Sequence, residues 1–187
     1  MNIYDELLKE IRIPRMVEVK YNFFCSTMED IKEEVVSQLK RTGTLDRVKP
    51  GDRVAIAVGS REISNLLLIV STLVGEIKRV GGQPFIVPAM GSHGGATAAG
   101  QREVLEAFGI TEENIGVPVK SSMETVKIGV TASGIDVHMD KYAHEAECII
   151  PVGRIKPHTD FRGDYESGLM KMIAIGLGKQ KGASICH

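Results

Sequence analysis

RVAIAVGSR, from Arg53 to Arg61, decides the fold. After Arg53 come Val54, Ala55, Ile56, Ala57 and Val58 with no polar interruption. A strand that is apolar on both faces belongs in the middle of a parallel sheet, where helices cover either side. A glycine, a hydroxyl and a cation follow at once. Residues 63–80 then read as a long apolar helix, stopped by Gly81-Gly82. Residues 84–89 read as a second strand, ending in Gly91-Ser92-His93-Gly94-Gly95, and Thr97 caps a helix that reaches Phe108. A third apolar run, Cys148-Ile149-Ile150-Pro151-Val152, feeds into Lys156-Pro157-His158. This alternation predicts an α/β fold: an open, mostly parallel sheet with helices on both faces, a three-layer αβα arrangement, as one domain over residues 1–187.

Outward from that centre the signals are more local. Residues 2–12 form a short helix stopped at Pro14. Residues 16–24 alternate, with Val17, Val19 and Tyr21 against Glu18 and Lys20, and read as a strand. Ser26 followed by Glu29 is a capping-box pattern for a helix to Arg41, with Gly43 beyond it. Residues 124–130 and 135–139 are two strands joined by Ala132-Ser133-Gly134, and residues 143–147 are a link.

Composition narrows the function classes. The net charge is −1, there is no tryptophan and no basic run, so nothing favours nucleic acid. The longest apolar stretch, residues 66–74, is broken by Ser71 and Thr72 and is too short to span a bilayer. Asp5 and Glu6 stand where a secretion signal would be basic and then apolar. Three cysteines lie far apart with no C-x-x-C spacing, the pattern of a cytoplasmic protein with reduced thiols.

In a parallel sheet, ligands bind beyond the carboxyl ends of the strands. Three such ends carry chemistry here: Gly59-Ser60-Arg61, the His93 loop and Lys156-Pro157-His158. An arginine fork matches a carboxylate. Imidazole titrates near neutral pH, so two histidines can serve as acid and base on opposite sides of a carbon. A lysine such as Lys171 can hold a cofactor covalently. On residue type alone, Arg61 also suits a surface ion pair and Lys171 a solvated side chain. His138 and His144 sit on a strand and in a polar link and receive no role. The run Gly176-Leu177-Gly178-Lys179 lacks the spacing of a phosphate loop, with Gln180 where Ser or Thr should stand; it fits a phosphate cradle at a helix N-terminus or a tight turn. Two readings without covalent chemistry stay open: a phosphate- or nucleotide-binding domain, and direct Zn²⁺ or Ni²⁺ binding by His93, His158 and His187.

The ordered set of Arg61, Gly91-Ser92-His93, His158, Ser167-Gly168-Leu169-Met170-Lys171, and His187 sixteen residues after Lys171, resembles the lactate racemase family. These are nickel-pincer racemases and epimerases of 2-hydroxy acids. The resemblance implies that Arg61 binds the substrate carboxylate and that His93 and His158 are the catalytic acid/base pair. It implies a pyridinium mononucleotide covalently bound to Lys171, with Ser167, Gly168 and Gly176 around it and His187 on the nickel. It also implies reversible hydride transfer, cofactor-making enzymes as partners, and a second domain that closes the site. The chain then reads as the N-terminal part of a longer two-domain protein, inactive alone. Several positions depart from the family pattern. Val58 replaces an acidic residue, Gly94-Gly95 an Arg-Pro, and Ile175-Gly176 a Pro-Gly. The loop from His158 to Ser167 is longer and adds Asp160, Arg162, Asp164 and Glu166. Extra glycine beside His93 would leave room for a larger 2-hydroxy acid, such as a sugar acid.

Overall fold

The computed structural model describes residues 3–12, 15–23, 28–160 and 162–186. Its centre is a parallel sheet of three strands in the order β2-β1-β5: β1 is Arg53–Val58, β2 is Gln83–Pro88 and β5 is Cys148–Val152. The apolar run at 53–58 is thus the middle strand. Pro84, Pro88 and Pro151 lack a backbone donor and suit the two flanking strands. Val58 pairs with Pro88 on one side and Val152 on the other, so the three carboxyl ends finish level.

Alternate residues of β1 feed two separate cores. Val54, Ile56 and Val58 face α3 (Leu66–Arg79) and α4 (Ala98–Ala107), packing with Val70, Val74, Ile77 and Leu105. Ala55 and Ala57 face the other way, with Phe85, Val87, Ala143 and Leu177. β1 thus gives branched side chains to the first face and alanines to the second. Both faces are covered, as an all-parallel sheet requires, and the fold is α/β.

Around this core lie α1 (Ile3–Leu8), α2 (Ile31–Thr42), α5 (Glu112–Ile115) and α6 (Lys141–His144). Near the C-terminus, α7 (Leu169–Lys171) runs into a π-helical turn, Met172–Gly176, and then α8 (Lys179–Cys186). Thr97 caps α4 as expected, accepting from the Gly100 N–H at 3.0 Å. Strands β3 (Thr125–Val130) and β4 (Asp136–Asp140) form an antiparallel hairpin outside the parallel sheet. Arg53 and Glu147 join the amino ends of β1 and β5 by an ion pair at 3.0 Å, which holds the Glu147 carboxyl down at about 2.

Some expectations change. The helix expected over 63–80 begins at Leu66, because Asn65 adopts a left-handed conformation at its cap. The link expected at 143–147 overlaps a short helix, α6, capped by Asp140. The strand expected over 16–24 forms no ladder over 16–23, and Met16, Val17, Val19, Tyr21 and Phe23 stay exposed. Alternation makes a strand only where a sheet edge accepts it. Ser26 lies outside the described residues; the cap seen on α2 is Asp30, accepting from the Glu33 N–H at 2.8 Å. Cys148 and Cys186 are free thiols. Among the described residues, no helix is long and apolar enough to cross a membrane.

Candidate active site

A cleft of about 200 Å³ opens at the carboxyl edge of the sheet. The segments after β1, β2 and β5 all contribute to it: Ser60 and Arg61, Ser92 and His93, Lys156 and His158. The segment 167–176 closes the remaining side with Ser167, Gly168, Lys171 and Gly176. Every candidate within the described residues therefore lines one cleft, and His187 lies outside those residues. The β2-β1-β5 order explains the location. The chain leaves β1 for β2 on one side and returns to β5 on the other, and the crevice forms where the strand order reverses.

Its chemistry is one-sided. Arg61, Arg154, Lys156 and Lys171 line it, and no carboxylate does among the described residues. Such a lining suits an anion. Partial burial, with Arg61 and Lys171 nearby, holds His93 below its usual imidazole range, so its neutral form is favoured. The Ser60 hydroxyl lies 2.5 Å from His93 Nδ1. That contact fixes the ring and leaves Nε2 as the edge for chemistry.

His158 is held by its own loop. Asp160 N–H donates to His158 Nδ1 at 3.1 Å, which puts the proton of neutral imidazole on Nε2. Glu166 accepts the N–H groups of His158 and Gly163, at 3.1 and 3.2 Å, and those bonds hold its carboxyl below the usual range. Arg162 donates to the His158 carbonyl at 2.7 Å. Arg162 and Glu166 of this longer loop thus organise it internally.

Packing accounts for three of the glycines, and of the two readings of the glycine run it favours the tight turn. A Cβ on Gly94 would lie 2.5 Å from the Gly100 backbone, so this glycine lets the His93 loop press against α4 and does not widen the cleft. A Cβ on Gly178 would meet the Ala174 carbonyl oxygen at 2.3 Å, and one on Gly176 the Ala89 carbonyl oxygen at 2.7 Å. The glycine run is a close-packed turn. Lys179 is fully buried, bonded to protein groups, and holds no phosphate.

Sequence reasoning missed Ser60, Glu166, Gln101 and Lys179 as organisers of the site. Lys179 carried a signal, a lysine within an apolar, glycine-rich run; the others look like ordinary polar residues. His138, buried on β4, and His144 lie outside the cleft. Among the described residues, no group of three His, Cys, Asp or Glu side chains converges as a metal set.

Fold and cleft together define an α/β domain with a cationic, histidine-bearing cleft at its strand ends. The lactate racemase N-terminal domain family matches residues 4–187, and the chain belongs to that family. No curated protein matches it in sequence.

Proposed function

We propose that this domain carries the acid–base groups and the cofactor tether of a 2-hydroxy-acid racemase or epimerase. The observation that carries the reading is that Arg61, His93, His158 and Lys171, from four separate segments, line one cleft free of carboxylates among the described residues. Family membership supports the same reaction class.

The residues present fit a nickel-pincer pyridinium mononucleotide. Lys171 is exposed to the cleft at the end of α7, and the surrounding cations suit an anionic nucleotide. Lys171 would hold the group covalently, beside Ser167, Gly168 and Gly176, and His187 would supply imidazole to nickel, a metal that accepts nitrogen and soft sulfur ligands. When bound, the group supplies reversible hydride acceptance from the substrate α-carbon.

The chain's own residues do the rest. Arg61 grips the carboxylate and keeps the α-carbon in place while its configuration changes. His93 Nε2 takes the hydroxyl proton on one face, and His158 Nε2 serves the other once the ring leaves the Asp160 N–H and carries its own proton on Nδ1. A racemase runs in both directions, so each imidazole must act as base for one enantiomer and acid for its mirror image. Ser60 suits that need at His93, because its oxygen can accept the Nδ1 proton that the neutral base and the imidazolium both carry while Nε2 takes and returns the substrate proton. A carboxylate in its place would favour one state.

The decisive experiment is intact mass and nickel content after production alongside the cofactor-making enzymes. A nickel-containing adduct on Lys171, absent from Lys171→Ala, is the expected result. An unmodified Lys171, in a host that loads a lactate racemase, would rule the reading out.

A further inference from the structure

Lys179 has no exposed surface, and its backbone is left-handed at φ 56°. Both are unfavourable for a lysine: a buried charge is costly unless it is matched, and a left-handed backbone strains a residue that has a Cβ. Nothing in the proposed reaction uses this side chain. Its surroundings show what it does.

The ammonium donates to the Pro88 carbonyl at the end of β2 and to Gln101 Oε1 on α4, the latter at 3.0 Å. It pairs with the equally buried Asp140 Oδ2 at 3.1 Å, off the line of a good hydrogen bond. Asp140 Oδ1 accepts the N–H groups of Tyr142 and Ala143. Gln101 is fully buried as well. Having taken the lysine on its oxygen, it turns its nitrogen to the carbonyls of Gly91 and His93, at 2.8 and 3.2 Å. The amide therefore has one orientation. Lys171 and Lys179 share one continuous segment, α7 through α8. Between that segment and the His93 loop run the Gly91 N–H to Gly176 carbonyl bond, at 3.1 Å, and the Lys179–Gln101 bridge.

We propose that Lys179 and Gln101 are positioning residues: the buried ammonium sets the Gln101 amide, which holds the His93 loop in fixed register with the segment bearing Lys171. This rests on the acid–base role given to His93 above. The register matters because a tethered reactive group and an acid–base group must meet at the same carbon, and small misplacements there are costly. An apolar side chain at 179 would fill the space without orienting the amide.

The test uses the protein without cofactor, labelled with ¹⁵N-histidine, its five histidines giving few ring signals. The His93 signal is assigned by its loss in His93→Gln. Gln101→Glu keeps size and can still face Lys179, but has no N–H for the two carbonyls. The expected result is a displaced His93 ring signal and amide exchange over residues 91–95 faster by about tenfold or more. The double variant Lys179→Met/Asp140→Asn removes both charges together, leaving no lone buried ion, and should displace the same signal. Ile77→Val, on α3 and outside the Lys179–Gln101 bridge, should lower thermal stability and leave that signal in place. An unmoved His93 signal in Gln101→Glu or in the double variant, or an equal displacement in Ile77→Val, would overturn the proposal. An unmodified Lys171 in the mass experiment bears on the racemase reading alone.

Discussion

Ser60 and His93 share a contact that fixes a ring without fixing its proton. Removing the hydroxyl should cost about one hydrogen bond, roughly 1 kcal/mol, or about fivefold in kcat/KM of the loaded enzyme for both enantiomers. Steady-state rates for Ser60→Ala in the two directions check this, and an unchanged kcat/KM would remove Ser60 from the site. A second prediction follows from the depressed pKa of His93. Near pH 6 the unfolded chain binds this proton more readily than the folded one, so acid favours unfolding. Stability therefore rises with pH from the folded value up to the ordinary 6.5, and this contribution is flat above it. Urea titrations across that window should show a steeper slope for the native protein than for His93→Gln. Equal slopes would contradict it.

Among the elements, the glycine-rich turn before α8 is the most exacting. Gly178→Ala drives a Cβ into the Ala174 carbonyl, whereas the same change at Gly129, which has open space, meets nothing. The first should lower stability by about 1–3 kcal/mol and the second far less; thermal melts of the pair decide. The strands were largely legible, because RVAIAV, 84–89 and 148–152 are apolar runs that only a covered sheet accommodates. The segment 16–24 misled for the converse reason: alternation states which face is apolar and says nothing about whether an edge is there to pair with. Arg61, His93 and His158 were legible because strand ends of a parallel sheet share an edge. Glu166 and Gln101 were not, because their role depends on which backbone groups surround them, a matter of tertiary packing.

Across the whole molecule, the net charge of −1 supplies no long-range pull on an anion. The attraction is local, from Arg61, Arg154, Lys156 and Lys171 around the cleft. Affinity for a 2-hydroxy acid should fall by about three- to tenfold as salt rises from roughly 20 to 300 mM, as the screening length shrinks toward the size of the cleft. Calorimetric titration at the two salt levels measures this, and salt-independent binding would show that the cations are paired elsewhere.

The turn after Lys171 winds with one residue more than an α-helix allows, and the Leu177 N–H reaches back five positions to the Met172 carbonyl at 2.8 Å. A single extra residue is a counting device. Substituting within Met172–Gly176 alters side chains but keeps the count. Deleting one residue, Ala174 for instance, would let the turn relax to ordinary winding and swing everything before it by about 100° around the helix axis. The lysine would keep its neighbours in sequence and lose its aim. Here the number of residues aims the lysine, while identity is held tightly only where a side chain has no room, as at Gly176.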